Sequence, residues 1–182
     1  MFCHRREDVP AYRVWVYQRP GLRAKGKETY MAALREEASR HVTTPIESND
    51  VELSVVYSTT SPLGERADVD NILKPTLDAL KGVAYVDDRQ VRAVSSRVFD
   101  GVPFCVSPTE YVSLTLVEPL MRSGFRDLIV VSIFSDRRLA ELGGKDKVRS
   151  RIDDEEREIL IRHAERAAPN PALNPTGLRP AG

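Results

Sequence analysis

The stretch DVDNILKPTLDALKGVAYVDDRQV, residues 68–91, decides how this chain is organised. It predicts a short helix over 71–81 that ends at Gly82, a residue favoured just after a helix C-terminus. Pro75 near the start of this helix requires a late beginning or a kink, because proline has no N–H to donate. A turn follows the helix. Four acids lie near the two ends of this unit: Asp68, Asp70, Asp87 and Asp88.

On either side of this unit, the spacing of apolar residues follows strand and helix patterns that complete one domain. Strands are predicted over 12–17, 51–57, 90–99 and 110–117, and a first helix over 27–41. The resulting order is strand, helix, strand, helix, strand, strand. This order predicts an α+β domain with a mixed β-sheet and helices packed on one face.

Beyond Pro119 the character of the sequence changes. Residues 128–134 could form one more strand, and Ser150 with Asp153 resembles a capping box that opens a charged helix over 151–167. Residues 168–182 are rich in Pro, Asn, Gly and Ala and are predicted to form a disordered tail. We therefore divide the chain into a core domain (1–120), a C-terminal extension with strand and charged helix (121–167) and a tail (168–182).

The net charge of zero does not favour nucleic-acid binding. The chain has 27 basic and 27 acidic residues, whereas nucleic-acid binders usually carry a basic excess. A local basic strip can still attract phosphate, although many such strips are simply solvated faces. The strip here is uninterrupted by acids and consists of Arg13, Arg19, Arg23, Lys25 and Lys27.

Other function classes are disfavoured by what the sequence lacks. Its longest apolar stretch is too short to cross a bilayer, and residues 1–8 do not resemble a secretory signal. Cys3 and Cys105 match neither a disulfide framework nor a zinc spacing, and no glycine-rich loop with Lys-Ser/Thr follows a strand. We expect a cytoplasmic protein with free thiols, no membrane contact and no nucleotide cofactor.

The four acids are typical of a site for a hard divalent cation. Mg²⁺ prefers carboxylate oxygens and keeps several waters, so two or three acids suffice. Asp68 and Asp70 are two positions apart, on one side of an extended segment. The helix could then run away, turn at Gly82 and return Asp87 or Asp88 to the same place. A bound Mg²⁺ or Mn²⁺ would lower the pKa of a water and polarise a phosphate oxygen.

Structural alternatives exist for each of these residues taken alone. Asp70 or Asn71 could be an ordinary helix N-cap, and Asp87 and Asp88 could be turn residues. Lys74 lies four positions before Asp78, so these two could form a surface ion pair worth about 0.3–0.5 kcal/mol.

The combination of residues resembles the signature of the RusA-type Holliday junction resolvases. That signature has an Asp-x-Asp-Asn, a Lys three positions further on, an Asp-Ala-Leu, and an Asp-Asp about twenty positions after the first Asp. The resemblance extends more loosely over 12–118. It implies that the core is a RusA-like nuclease domain. The matching residues are Asp68, Asp70, Asn71, Lys74, Asp78, Ala79, Leu80, Gly82, Asp87, Asp88 and Gln90.

The resemblance also implies an activity and residue roles. The expected enzyme is a metal-dependent endodeoxyribonuclease that resolves Holliday junctions by paired phosphodiester nicks in DNA recombination and repair. Asp68, Asp70 and Asp88 are implied as the metal-binding acids. Lys74 is implied as the lysine that neutralises charge on the scissile phosphate or its leaving group. We expect these four residues to be catalytic.

Two further residues are implied only as supporting ones. Asn71 would orient an acid or cap the helix, and Asp87 would be either a supporting acid or, as we favour, a turn former. The segment after the first strand departs from the family, which usually has Pro-Pro-Ser-x-Asn there; this chain has Tyr-Gln-Arg-Pro-Gly at 17–21. The departure puts the DNA contacts of that loop in question.

The expected partner is branched DNA, with four-way junctions favoured. Because a junction has approximate two-fold symmetry and two scissile strands, a homodimer with two active sites is the natural architecture. Flaps, forks or other branched DNA are alternative targets, and a junction-binding protein with little cleavage is a second alternative. The basic strip, together with Arg66, Arg89 and Arg92, would hold backbone phosphates.

Overall fold

The computed structural model of the protein describes residues 9–20, 24–48, 50–62, 66–100 and 127–167. The predicted strand over 110–117 and the predicted disordered tail lie outside the described residues, as does Arg23 of the basic strip.

A four-stranded mixed sheet forms the centre of the fold. Its strands are β1 (Tyr12–Val16), β2 (Val51–Thr59), β3 (Val91–Asp100) and β4 (Asp127–Phe134), in the order β1-β4-β2-β3. β4 runs antiparallel to both of its neighbours, whereas β2 and β3 are parallel. The α+β class with a mixed sheet is therefore confirmed.

The described residues include five helical segments beside the sheet. They are α1 (Ala24–His41), α2 (Val69–Leu80), a 3₁₀ turn (Asp88–Gln90), α3 (Asp136–Glu141) and α4 (Lys145–Ala167). α1, α2 and α4 correspond to the three predicted helices, whereas α3 was not predicted. Within the described ranges, every helix is too short or too polar to span a membrane.

The helices of the core lie on one face of the sheet, as predicted. α1 and α2 cover the buried side chains that alternate along β2, such as Leu53 and Val55. The helix of the extension packs elsewhere. α4 contacts the opposite face through a second apolar cluster that includes Trp15 and Leu128. The sheet is thus covered on one side by the core helices and partly on the other by the extension.

The prediction of where α4 begins was wrong. Ser150 lies inside the helix, which starts at Lys145, so Ser150 and Asp153 do not form an N-terminal capping box. Gly143 and Gly144 explain the early start: both have positive φ, at 98° and 88°, a conformation that glycine adopts without steric cost. They end α3 and turn the chain directly into α4.

β4 is an interior strand of the sheet rather than an addition to its edge. It was predicted over 128–134 as part of the extension, and the strand itself is confirmed. It pairs with β1 on one side and β2 on the other, so among the described strands β1 joins the sheet only through β4. The domain boundary at 120 stays a prediction, because residues 101–126 lie outside the described part of the chain.

Polar contacts also fasten the extension to the core. The Arg138 guanidinium donates from Nε to the Tyr12 hydroxyl at 2.7 Å and from Nη2 to the carbonyl oxygen of Thr44 at 3.2 Å. Arg151 Nη2 donates to the carbonyl oxygen of Ala11 at 2.6 Å. Hydrogen bonds that involve a charged donor are among the stronger ones in proteins, so α3 and α4 are integral to the packing.

Glu156 is a buried acid between α4 and β1. Its carboxylate Oε2 lies 3.9 Å from Nη1 of Arg13, and its side chain is 7% exposed. Burial raises the pKa of Glu156 to about 7; the charge of Arg13 opposes this shift and the charge of Asp153 adds to it. The folded protein therefore favours the protonated form of this carboxyl group.

This burial predicts a pH-dependent stability. The pKa of Glu156 in the folded chain lies above its ordinary value of 4.5. Below pH 4.5 the protein therefore has the full stabilising contribution of this group. This contribution is lost as the pH rises through about 7, which lowers the free energy of unfolding by up to about 3 kcal/mol. We expect Glu156→Gln to flatten this dependence. Urea unfolding of both proteins at about pH 5 and about pH 8 measures it, and parallel pH slopes for the two would refute the assignment.

Candidate active site at the two ends of helix α2

Asp68 and Asp70 lie at the N-terminal end of α2. Asp68 is the N-cap, and its Oδ1 accepts a hydrogen bond from the backbone N–H of Asn71 at 2.8 Å. Asp70 lies in the first turn, where a negative charge is favoured by the helix dipole. Both acids are exposed. The capping role considered for Asp70 thus belongs to Asp68, and both carboxylates remain accessible to a cation.

Lys74 lies one helical turn beyond Asp70 and is exposed. The surface ion pair considered between Lys74 and Asp78 is not formed. Among the residues that the structure describes, Lys74 has no carboxylate within ion-pair distance. Its ammonium group is therefore available to a ligand on the same side of the helix as Asp70.

Asp87 and Asp88 lie beyond the C-terminal end of α2. Lys81 joins them: its Nζ is 3.2 Å from Oδ2 of Asp88 and 3.8 Å from Oδ2 of Asp87. Lys81 was not predicted as part of the site, although its position directly before Gly82 marks it as the last residue before the turn. Asp88 is exposed and can still offer an oxygen to a cation.

Asp87 shapes the turn, which agrees with the favoured alternative. Its Oδ1 accepts from the backbone N–H of Arg89 at 3.0 Å and from Arg89 Nε at 2.8 Å. These hydrogen bonds lower the pKa of Asp87 to about 2, with the charges of Arg89 and Lys81 acting in the same direction. The carboxylate is committed to capping the 3₁₀ turn that carries Asp88.

Gln90 fixes this turn to the body of the protein. It is buried, its Oε1 accepts from the backbone N–H of Asp87 at 2.7 Å, and its Nε2 donates to two carbonyl oxygens. Those acceptors are Ile46 at 2.8 Å and Ser48 at 2.6 Å. Asp88 is therefore held by a turn whose position depends on one amide side chain.

Removing this amide is expected to destabilise the fold. We predict that Gln90→Ala lowers the free energy of unfolding by about 2–3 kcal/mol, because buried backbone groups lose their partners. The adjacent Arg89 is exposed, so Arg89→Ala is a matched control with an expected change within about 0.5 kcal/mol. Urea unfolding measures both variants. Equal effects from the two substitutions would contradict the anchoring role of Gln90.

The sheet topology separates the two pairs of acids within one chain. β2, α2 and β3 form a parallel crossover, so α2 carries the chain from one end of the strands back to the other. Twelve residues of α-helix span about 18 Å. Asp68 caps the start of this span, Asp70 lies in its first turn, and Asp88 follows its end. This topology argues against the expected return of Asp87 or Asp88 to the first pair within a single protomer.

The described residues accordingly contain no group of three or more His, Cys, Asp or Glu side chains placed to hold a metal ion. The individual donors do fit a hard cation, because exposed carboxylates are the ligands that Mg²⁺ prefers. Within the described residues of one chain, the three predicted acids therefore do not form such a group.

Some of the predicted DNA-binding side chains bind other groups of the protein, whereas others are exposed to solvent. Arg13 is directed at the extension, with its Nε 3.4 Å from Ser132 Oγ and its Nη1 near Glu156. Arg66 donates from Nε to the carbonyl oxygen of Ser61 at 2.5 Å. Both guanidinium groups thus have a structural partner. Of the predicted DNA-binding residues, Lys25, Arg89 and Arg92 are exposed, whereas Arg19 and Lys27 are partly covered.

Comparison with known families identifies the chain. The family model described as Endodeoxyribonuclease RusA matches residues 12–104, slightly more than half of the chain. The chain belongs to the RusA endodeoxyribonuclease family. The match to the RusA family runs from β1 to just beyond β3 and includes both pairs of acids and Lys74. No curated protein matches the chain significantly.

RusA-family membership confirms the resemblance seen in the sequence. It supports endonuclease activity on DNA, with Holliday junctions as the family's substrate. β4, α3 and α4 lie beyond the matched region, so they are described by the structure alone.

Proposed function

We propose that this RusA-family protein is a metal-dependent endonuclease that resolves Holliday junctions by paired nicks in DNA recombination and repair. The single observation that carries the proposal is the family match over residues 12–104. That region contains two exposed acids and a lysine on one end of α2 and a third exposed acid after its other end. Such a donor set suits phosphodiester hydrolysis.

The proposed roles follow from charge and position. Asp68, Asp70 and Asp88 would bind Mg²⁺ or Mn²⁺, which lowers the pKa of a bound water and offsets charge on the phosphate. Lys74, one turn from Asp70, would contact the scissile phosphate or the leaving oxygen. Asn71 would support the site by donating its backbone N–H to Asp68 and so fixing that carboxylate.

A homodimer would reconcile the three acids with the topology. Two copies related by a two-fold axis, with their α2 helices antiparallel, would bring Asp88 of one copy toward Asp68 and Asp70 of the other. The same symmetry matches the two scissile strands of a four-way junction. We therefore propose two active sites, each completed by both copies.

Mixing inactive variants tests the shared site. If each site combines Asp70 from one copy with Asp88 from the other, an Asp70→Asn copy paired with an Asp88→Asn copy regains one intact site of two. We expect mixing and re-equilibrating the two inactive homodimers to restore single-strand nicking of a junction. A site contained within one copy predicts no restoration, since neither copy then has all its acids.

Substrate choice distinguishes the remaining alternatives. The loop at 17–20, which departs from the family pattern, keeps flaps, forks and other branched DNA as alternative targets. Purified protein with Mg²⁺ is given equal amounts of four-way junction, flap, fork and linear duplex. Symmetric paired nicks in the junction alone support the proposal, whereas preferred cutting of flaps or forks overturns the junction assignment. Electrophoretic shift of the junction without nicking would establish a binding protein instead.

A further inference from the structure

Asp127, the first residue of β4, accepts hydrogen bonds from hydroxyl groups at and just after the end of β2. The Tyr57 hydroxyl donates to Oδ1 at 2.5 Å and the Thr59 hydroxyl at 2.6 Å, while Ser61 Oγ lies 3.4 Å from Oδ1 and 3.5 Å from Oδ2. The residues that supply these hydroxyls are buried. Because an ionised carboxylate only accepts hydrogen bonds, Asp127 fixes the direction in which each hydroxyl points its proton.

A chain of hydrogen bonds leads from Asp127 to the N-terminus of α2. Since the Thr59 hydroxyl donates to Asp127, its lone pairs are free to accept the backbone N–H of Ser61 at 2.9 Å. The carbonyl oxygen of Ser61 then accepts from Arg66 Nε at 2.5 Å. Ala67 follows and is buried, and Asp68 caps α2.

The position of Asp127 in the sheet explains this connection. Asp127 and Thr59 are paired residues of β4 and β2, at the end of the sheet where β2 leads into α2. Asp127 lies outside the region that the family model matches. An acid of the extension is therefore connected to the loop that begins the helix bearing Asp68 and Asp70.

We propose that Asp127 is a positioning residue for the nuclease reaction, acting through Thr59, Ser61 and Arg66 to fix the start of α2 and thereby the Asp68 and Asp70 carboxylates. The inference rests on the proposed function for the reaction that it serves. Its structural part, that Asp127 holds the N-terminal turn of α2, is independent of any metal and can be tested alone.

The Tyr57 hydroxyl keeps its proton at neutral pH. Burial and the hydrogen bond to Asp127 raise the pKa of Tyr57 to about 12, against the opposing influence of Thr59 and of the Arg19 charge. Tyr57 therefore remains a donor to Asp127. Thr59 is the residue that connects Asp127 to the backbone of Ser61.

Thr59→Val and Asp127→Ala interrupt the series of hydrogen bonds at different points. The first removes the hydroxyl that links Asp127 to Ser61, and the second removes the carboxylate itself. We expect either to speed amide hydrogen exchange at Asn71 and Ile72, whose N–H groups bond to Asp68, by about 10-fold. The amide of Lys81, at the other end of α2, should be unaffected. Exchange is measured without metal or DNA, so the result does not depend on activity.

The kinetic expectation separates positioning from binding. Thr59→Val should lower the single-turnover nicking rate on a four-way junction by about 10-fold with unchanged junction affinity. Thr59→Ser, which restores the hydroxyl, should recover both the rate and the exchange protection. Thr60→Val makes the same change at an exposed neighbour outside the network, so it should behave like the unmodified protein.

Two results would overturn the inference. The first is exchange at Asn71 and Ile72 that stays unchanged in Thr59→Val, or that rises equally at Lys81 as in general destabilisation. The second is a nicking rate unaffected by Thr59→Val in a protein that cuts junctions. If the unmodified protein does not nick DNA at all, the proposed function fails, while the exchange measurement still decides whether Asp127 holds the helix start.

Discussion

Nicking of a four-way junction is expected to fall by about 100- to 1,000-fold in the Asp70→Asn variant, with fold and junction binding unchanged. Asp70 lies in the first turn of α2 and its side chain is exposed, so the fold does not depend on its charge. The amide has the same shape but offers a much weaker oxygen ligand to a divalent cation. Single-turnover nicking with Mg²⁺ measures the loss, and electrophoretic shift in EDTA measures binding.

Asp78 provides the matched control for this variant. It is an exposed acid on the same side of α2, two turns further along, with Lys74 midway between the two positions. Asp78→Asn therefore makes the same chemical change on the same helix without touching the proposed site. We expect its nicking rate to stay within about 2-fold of the unmodified protein. Undiminished nicking by Asp70→Asn, or an equal loss in both variants, would refute the role of Asp70.

Removal of β4 is expected to unfold the protein. A chain that ends at residue 126 lacks the strand that pairs with both β1 and β2. It also loses four fully buried apolar side chains. Each contributes about 1.5–3 kcal/mol, so together they are comparable with a typical domain stability of about 5–15 kcal/mol. These side chains are Leu128, Ile129, Val131 and Ile133.

A chain that ends at residue 167 is the matched control for this truncation. It keeps all the strands and helices in the described part of the chain, so we expect cooperative thermal unfolding close to that of the full chain. Circular dichroism and size-exclusion elution measure both truncations. A compact, cooperatively unfolding chain of residues 1–126 would show instead that the extension is separable from the core.

Much of the fold and the family could be predicted because the signals are local. Each of these signals can be read from residues close together in the sequence. Examples are the alternation of buried side chains along β2, the glycine that ends α2, and the order of strands and helices. The ordered motif of eleven residues between Asp68 and Gln90 indicated the RusA family, which the family match confirms. The start of α4 was mispredicted because a plausible cap at Ser150 competes with the turn made by Gly143 and Gly144.

By itself, the sequence determined the composition of the candidate site, since residue type and spacing fix which ligands the chain can offer. Only the tertiary structure decided where those ligands lie. The parallel pairing of β2 with β3 forces α2 to span the length of the strands, and this separates Asp68 and Asp70 from Asp88. Long-range pairing likewise placed β4 inside the sheet and brought Asp127 to Thr59, because contacts between residues distant in the chain leave no local pattern.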